Sequence, residues 1–297
     1  MTVRVSRPRR SVLYVPASNE KALAKAQGLG ADCIIFDLED SVATDAKEAA
    51  RENLRRLFGT LSEKRPETVI RINPLAGEWG TEDLLAAVAC RPDAILVPKI
   101  NTARDIHDVD DALDETDAPE ETKLWIMIET PKAMLNLGAL AEFGRDPAAR
   151  LACFVAGTND LAKETRLPPD PSRRYLSHWL MQIMLAARAG GLDVLDGTFN
   201  DFRDADGFAQ ECAEAAAMGF DGKTLIHPSQ IEVANRAFSP SPEALAEARK
   251  VVAAFALPEN GGKGVIGLDG KMTERLHLAE AESLLEKARL IGQTPKD

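Results

Sequence analysis

The sequence predicts a (β/α)₈ barrel followed by a C-terminal extension, and three observations support this fold. The chain has 297 residues, close to the roughly 250 that such a barrel needs. Eight short apolar segments recur along it, and alanine-rich helical patterns separate most of them. No GxGxxG motif follows the first of these segments, which disfavours the alternative fold, an open doubly wound sheet.

The eight apolar segments are rich in β-branched residues and have the length of strands. Near-continuous apolar character is typical of parallel strands that are buried on both faces. The segments lie at 11–16, 33–39, 68–73, 94–100, 123–129, 151–157, 192–198 and 223–228.

Helical patterns fill the intervals between the predicted strands. Gly30 and Gly219 stand where two of these helices would end, a common position for glycine. The clearest helical patterns cover 19–30, 45–58, 81–90 and 207–219.

The pattern changes after the eighth strand, so we predict a barrel domain over 1–230 and an extension over 231–297. Helical stretches up to 257 are followed by a glycine-rich segment, 258–271, and a final helix over 274–291. A glycine-rich hinge before a polar loop and a helix is typical of a lid or of an arm that packs on a neighbouring subunit. The alternative is an appendage that only packs on the barrel.

Composition excludes several classes of protein. The formal net charge of −11 argues against nonspecific nucleic-acid binding, which depends on neutralising phosphates. The apolar runs are too short for a membrane span, and the basic N-terminus lacks the apolar stretch of a signal peptide, so we expect a cytoplasmic protein. The four cysteines are dispersed without a CxxC pair, which predicts free thiols rather than a zinc site or disulfides.

Charged residues follow the predicted strands at the end where barrel enzymes carry their active sites. Glu129 and Asp160 stand at the ends of adjacent strands and are the natural pair of carboxylate ligands for Mg²⁺, with Mn²⁺ as an alternative. As the other interpretation, these acids are helix caps or surface charges. Further strand-end residues are Asp37, Glu39, Asp40, Asn73, Lys99, Asp196 and His227.

Arg71 lies within a β-branched strand, where an unpaired charge is costly. Its guanidinium is suited to bidentate binding of a substrate carboxylate, or to a structural ion pair with Glu39 or Asp40. Both roles are compatible, because an acid can orient the guanidinium. His227 is either a general base or a structural histidine.

Basic residues cluster around the first two strands. They suit a ligand that bears phosphates, or they form a solvated helix face. The cluster consists of Arg9, Arg10, Lys21, Lys25, Lys47 and Arg51.

At this point the sequence resembles a known family, the citrate lyase β-subunit-like (HpcH/HpaI aldolase/citrate lyase) group. The family includes malyl-CoA lyases, citramalyl-CoA lyases and malyl-CoA thioesterases, and the chain looks most similar to the thioesterase branch. The matching segments occur in the family's order over nearly the whole chain. They are RSVLYVPASNEKALAKAQGLGADCIIFDLEDSVA (10–43), VIRIN (69–73), ILVPKI (95–100), IMIET (126–130), GTNDLAKE (157–164), GFDGKTLIHPSQIEVANRAFSPS (219–241) and LDGKM (268–272).

The resemblance implies an Mg²⁺-dependent enzyme that acts on (3S)-malyl-CoA or a close 3-hydroxyacyl-CoA, by retro-Claisen cleavage or by thioester hydrolysis. Glu129 and Asp160 match the metal ligands, and Arg71 matches the arginine that contacts substrate oxygens. Glu39 and Asp40 match the acids that hold that arginine and the metal's waters.

The resemblance also assigns roles outside this centre. Asp269, in LDGKM, matches a lid aspartate that acts as acid–base across a subunit boundary, usually in a trimer, and we expect a homotrimer or hexamer. Lys21, Lys25 and Lys47 lie near the family's coenzyme A pocket.

Three other functions stay open at this stage: a citramalyl-CoA or citryl-CoA lyase, a metal-dependent 2-oxo-acid aldolase, and a silent partner in a larger complex. The segment IMIETPKAMLN and Asn159 differ from some lyase relatives, which puts the substrate preference in doubt.

Overall fold

Eight parallel strands close into a barrel in chain order, with the last strand paired to the first. The structure is a computed structural model that describes residues 7–62, 65–170 and 172–293. The closed barrel confirms the predicted fold class, and most of its strands end one to three residues before the predicted ends. The strands are β1 (Ser11–Pro16), β2 (Cys33–Asp37), β3 (Glu67–Arg71), β4 (Ala94–Val97), β5 (Lys123–Ile128), β6 (Leu151–Ala156), β7 (Asp193–Asp196) and β8 (Gly222–Leu225).

Helices connect the strands, and capping residues set several of their ends. Asp204 accepts a hydrogen bond from the Gly207 N–H and begins one helix. Gly219 ends the same helix with a φ of 97°, as predicted for a C-terminal glycine. The helices up to this point are α1 (Glu20–Ala26), α2 (Lys47–Phe58), α3 (Gly80–Cys90), α4 (Ala103–Glu115), α5 (Pro131–Leu135), α6 (Leu137–Glu142), α7 (Thr158–Thr165), α8 (Leu176–Gly190) and α9 (Ala205–Met218).

Alternate strand residues divide the core of the barrel into two layers. A smaller cluster, which includes Ile35, Val69 and Trp125, fills the barrel interior. A larger cluster, which includes Phe36 and Ile70, lies between the strands and the helices. Because side chains alternate between the two faces of a strand, polar residues that continue the interior series point into the barrel at its ends.

The chain separates into two compact units between Phe238 and Ser239. The helix α10 (Ile231–Ala237) belongs to the barrel unit, because Ile231, Ala234 and Phe238 are buried in its core. The helix that follows residue 230 thus packs with the barrel, and the division into a catalytic domain and a lid stays a prediction.

The second unit has its own small core and more regular structure than the sequence suggested. Helices α11 (Pro242–Ala256) and α12 (Arg275–Leu290) enclose Val251, Phe255 and Ala281. The segment predicted as a glycine-rich hinge contains an antiparallel hairpin, β9 (Val265–Leu268) and β10 (Lys271–Glu274). Asp269 and Gly270 form its two-residue turn with φ values of 51° and 75°. Positive φ at both positions is the signature of a type I′ turn.

Two expectations from composition can be compared with the described residues. All four cysteines are free and buried, as expected. Within the described part of the chain, no helix has both the length and the apolar character that crossing a bilayer requires.

Candidate active site at the carboxyl end of the barrel

Arg71 and Asp37 form the centre of the polar cluster at the carboxyl end of the barrel. They are the last residues of β3 and β2 and face each other in the strand register. The Nε and Nη2 atoms of Arg71 donate to the two carboxylate oxygens of Asp37 at 2.6 and 2.7 Å. The Tyr14 ring lies against the guanidinium, 4.9 Å from its centroid. This bidentate pair fixes the orientation of Arg71 and leaves Nη1 for other contacts.

Asp37 is thus the bidentate partner of Arg71, which the sequence did not indicate, and the expected ion pairs of Arg71 with Glu39 and Asp40 are present beside it. Burial acts to raise the pKa of Asp37, but the Arg71 guanidinium and the Ser41 hydroxyl outweigh it and hold the pKa below its usual value. Asp37 is therefore a permanent anion at neutral pH, and Arg71 a permanent cation.

Glu39 is the second acid beside Arg71, and its environment is different. An oxygen of Glu39, Oε2, lies 2.7 Å from Arg71 Nη1, but the angle does not satisfy hydrogen-bond geometry and this oxygen has no hydrogen-bond partner. Burial raises the pKa of Glu39 to about 8, against the opposing effect of Arg71, and the nearby charge of Asp40 adds to the rise. Glu39 is therefore able to hold a proton at neutral pH.

Asp40 lies further out than Glu39. Its side chain is 69% exposed and its Oδ2 atom is 3.4 Å from Arg71 Nη1. Asp40 thus faces solvent at the mouth of the site, where it is free to contact a bound molecule.

Glu129 and Asp160 approach each other on the opposite side of the same rim. Glu129 follows β5 and is 1% exposed, and Asp160 lies in the first turn of α7. The ammonium of Lys99 lies between them, 3.0 Å from Asp160 Oδ1 and 3.6 Å from Glu129 Oε1. The Lys99 N–H also donates to Glu129 Oε1 at 2.7 Å. The sequence did not indicate this bridging lysine.

Burial and charge act in opposite directions on these groups. Burial raises the pKa of Glu129, against the opposing effect of Lys99. Burial would lower the pKa of Lys99, but the carboxylates of Glu129 and Asp160 outweigh it and raise the pKa. The two acids therefore share one fixed positive charge.

Gly157 allows this close arrangement. A Cβ atom at this position would lie 2.3 Å from Glu129 Cβ and 2.8 Å from Glu129 Oε2. Any side chain would therefore displace Glu129, so the glycine before α7 is required by packing against the acid.

A cavity of 290 Å³, here called the carboxyl-end pocket, opens between the two groups of charges. Arg71, Asp40 and Asp160 all line it, so a small molecule inside it can contact the Arg71 guanidinium and one carboxylate from each group. Its lining consists of Tyr14, Asp37, Asp40, Ser41, Arg71, Met127, Ala156, Gly157, Thr158, Asn159, Asp160, Thr198, Asn200, Thr224 and Ile226.

The carboxylate pair has the donor chemistry of an Mg²⁺ site. Two acid ligands with the remaining positions left to water and substrate oxygen suit this ion. Over 7–62, 65–170 and 172–293, no three His, Cys, Asp or Glu side chains gather into a group that could hold a metal, so no third side chain of these types joins the pair. The position between the two carboxylates is already occupied by a positive charge, the ammonium of Lys99.

The basic residues near the first two strands do not form one cluster. Lys21 and Lys25 are exposed on α1. Lys47 is buried, and its ammonium donates to Leu38 O at 2.8 Å, Glu39 O at 3.2 Å and Asn73 Oδ1 at 3.2 Å. This geometry gives Lys47 a role in positioning the loop that carries Glu39.

Arg9, Arg10 and Arg51 are likewise engaged within the protein. Arg9 pairs with Glu67 at the amino end of the barrel, Arg10 with Asp32, and Arg51 with Asp83. Each of these arginines has a carboxylate partner within the protein, and their binding of phosphate stays a prediction.

Asp196 and His227 also have structural surroundings. Asp196 is fully buried outside the barrel interior, where it pairs with Lys223 at 2.6 Å and Arg173 at 2.9 Å. The Nδ1 atom of His227 accepts from the Ser229 N–H at 3.2 Å and so caps the turn after β8. The expectation that Asp196 belongs to the catalytic rim is therefore wrong, and His227 has the structural role.

Asp269, the predicted lid acid, lies in the second unit at the turn between β9 and β10. Its side chain is 62% exposed and lies 3.4 Å from the Lys250 ammonium. A residue in this position is presented to solvent at the tip of a rigid hairpin.

Comparison with known families identifies the family of the chain. The model of the HpcH/HpaI aldolase/citrate lyase family matches residues 10–228. The chain belongs to this family. Its members are enzymes, and the matched region covers the whole barrel with Arg71, Glu129 and Asp160.

Relatives within the family are similar over nearly their full lengths. A (3S)-malyl-CoA thioesterase of Cereibacter sphaeroides is 47% identical over 285 residues, which cover 96% of each chain. Citrate lyase subunit beta of Escherichia coli is 32% identical over 97% of this chain and 96% of its own.

A solved structure is also similar to this chain. CitE from Mycobacterium tuberculosis, in complex with magnesium, acetoacetate and coenzyme A, has a TM-score of 0.75 at 30% identity. The alignment covers 96% of this chain and 99% of that one.

Proposed function

We propose that the protein is an Mg²⁺-dependent enzyme that hydrolyses the thioester of (3S)-malyl-CoA or a close 3-hydroxyacyl-CoA. The observation that supports this most is a pocket of 290 Å³ that has an oriented arginine on one side and a paired carboxylate site on the other. The 47% identity to a (3S)-malyl-CoA thioesterase supports the choice of substrate and of hydrolysis.

Arg71 supplies the fixed cation of the site. Asp37 holds its guanidinium from behind, so Nη1 is available to the carboxylate or the thioester oxygen of the substrate. A guanidinium already in place stabilises negative charge that develops on that oxygen without having to reorient.

Glu129 and Asp160 are the residues that would hold Mg²⁺. When bound, the ion supplies Lewis-acid polarisation of substrate oxygens and a template for their positions. Glu39, whose pKa burial raises to about 8, is the candidate general base that takes a proton from the attacking water when its carboxylate is deprotonated, and Asp40 is the candidate for orienting that water.

Retro-Claisen cleavage to glyoxylate and acetyl-CoA is the second candidate reaction. It is favoured by the relatives that are lyases, among them a mitochondrial citramalyl-CoA lyase of Rattus norvegicus at 31% identity. In that reaction Asp269 would act as the acid–base group of a lid formed by the hairpin of a neighbouring subunit, in a homotrimer or hexamer.

The exposed ammonium groups of Lys21 and Lys25 are proposed to meet the phosphates of coenzyme A. Lys47 is assigned to positioning instead, because its three acceptors are all within the protein. We also propose that the protein works in the cytoplasm.

The test is a substrate panel with product identification by mass spectrometry. The protein is incubated with (3S)-malyl-CoA, citramalyl-CoA or citryl-CoA, with Mg²⁺ or with a chelator. We expect malate and free coenzyme A, without glyoxylate, and only when Mg²⁺ is present. Glyoxylate with acetyl-CoA would show that the reaction is cleavage and not hydrolysis. Turnover of citramalyl-CoA or citryl-CoA alone would show that (3S)-malyl-CoA is not the substrate. Equal rates with the chelator would refute the role of the metal.

A further inference from the structure

Lys99 occupies a position that the proposed reaction does not use. Its ammonium lies 3.0 Å from Asp160 Oδ1 and 3.6 Å from Glu129 Oε1, between the two acids assigned to the metal. An ammonium and a divalent cation at this point compete for the same carboxylate oxygens, because both are positively charged.

The backbone of Lys99 is held in an unusual conformation that fixes this placement. Its φ is 57°, in the left-handed region that residues with a side chain rarely adopt. Asn101 Nδ2 donates to the Lys99 carbonyl at 2.8 Å, and Thr130 in turn donates to Asn101. The segment after β4 is thereby tied to the residue that follows Glu129.

The side chain of Lys99 has space to leave the two acids. Lys99 also lines a separate cavity of 460 Å³ together with Leu75, Asp105 and Asp108. This cavity has carboxylates at its wall, so it offers the ammonium a polar surrounding away from the carboxyl-end pocket.

We propose that Lys99 is a built-in counter-cation that neutralises Glu129 and Asp160 before the metal binds and lowers their affinity for Mg²⁺. This inference rests on the proposed function, because it takes these two acids as the metal site. It makes Lys99 a positioning residue: it keeps two mutually repelling carboxylates together until a divalent cation displaces its ammonium.

The experiment measures Mn²⁺ binding by electron paramagnetic resonance, and Mg²⁺ binding by calorimetry, on the metal-free protein without substrate. In K99M no ammonium competes for the two carboxylates, so we expect binding to be tighter by roughly tenfold or more. K132M removes the same charge from an exposed site on α5 and is expected to change the affinity less than twofold.

Thermal unfolding gives a second readout. K99M without metal is expected to unfold at a lower temperature than the unsubstituted protein, because two carboxylates are left unpaired, and to gain more from added Mg²⁺. E129Q separates the two proposals. If E129Q and the unsubstituted protein bind Mn²⁺ equally, the metal site itself is refuted. If E129Q loses binding while folded K99M binds no more tightly than K132M, the role of Lys99 alone is refuted.

Discussion

Each end of the barrel interior contains a buried arginine, and the two arginines make similar contacts. At the amino end, Arg9 makes a bidentate pair with Glu67 at 2.7 Å, also contacts Asp193, and lies 4.6 Å from the Trp125 ring centroid. At the carboxyl end, Arg71 makes the same bidentate pair with Asp37, also contacts Glu39, and lies over Tyr14.

The two ends differ in what lies beside the arginine. Arg71 lines an open pocket and has a carboxyl with an unpartnered oxygen against it. Arg9 is as buried as Arg71, but Glu67 and Asp193 both accept hydrogen bonds from its guanidinium, between strands that begin there. We therefore propose that the same interaction stabilises the barrel at one end and presents a cation to substrate at the other, as the placement of active sites at the carboxyl end of barrel enzymes suggests.

The largest expected effect comes from R71K. Lysine keeps the charge but loses the bidentate contact with Asp37 and the oriented Nη1. We expect kcat/KM for the thioester to fall about 10²–10³-fold, while circular dichroism remains that of a folded barrel. Activity within threefold of the unsubstituted enzyme would mean that Arg71, like Arg9, has only a structural role.

R9M is the complementary change at the amino end. It leaves buried Glu67 and partly buried Asp193 without this cation, so we expect the free energy of unfolding to fall by about 3–5 kcal/mol. Turnover per folded molecule should stay within twofold. Denaturant titration measures the first quantity, with R104M as the control, because that arginine is 77% exposed and its loss is expected to cost under about 1 kcal/mol. A stability loss no greater than that of R104M would contradict the structural role.

G157A tests how tightly the carboxyl end is packed. The new methyl group must displace Glu129, which it would otherwise approach to 2.3 Å. We expect Mg²⁺ affinity, measured by calorimetry, to fall about 10–100-fold. Gly138 is the matched control, since a Cβ there meets nothing within 4 Å, and G138A should leave the affinity unchanged. Equal affinities in the two variants would show that Glu129 is not a ligand.

E39Q gives the smallest effect, a change in pH dependence. The folded-state pKa of Glu39 is about 8 and its usual value is 4.5, so folding favours the protonated form. Its contribution to stability is complete below about pH 4.5 and is lost as the pH rises through 8. Melting temperatures recorded with a chelator from pH 5 to 8.5 should therefore decline less in E39Q than in the unsubstituted protein. Parallel curves would contradict a raised pKa.

Much of the fold could be predicted because eight buried strands leave an unmistakable hydrophobic pattern. The bidentate partner of Arg71, Asp37, was not predicted, although the sequence contains a signal for it. Cys33, Ile35 and Asp37 form one alternating series that points inward. The β9–β10 hairpin was missed because each strand has only 4 residues and β10 is largely polar. The Asp269–Gly270 pair, a strong hairpin signal, was interpreted as part of a hinge.

Other features of the site are not readable from sequence at all. The position of Lys99 between Glu129 and Asp160 depends on a left-handed backbone and on contacts from three separate loops. Likewise, nothing in the pattern distinguishes the buried Lys47 from the exposed Lys21, since both stand near the start of a helix after a strand. Such differences arise from tertiary packing and appear only when the strands are assembled.

One measurement tests the central claim most directly: release of free coenzyme A from (3S)-malyl-CoA by the metal-free protein before and after Mg²⁺ is added, for the unsubstituted chain, R9M and R71K. We predict that Mg²⁺ starts thiol release in the unsubstituted chain and in folded R9M, at similar rates per folded molecule, and that R71K stays close to the background. Thiol release that needs no metal, or that R71K retains in full, would contradict the assignment of the reaction to the carboxyl end of the barrel.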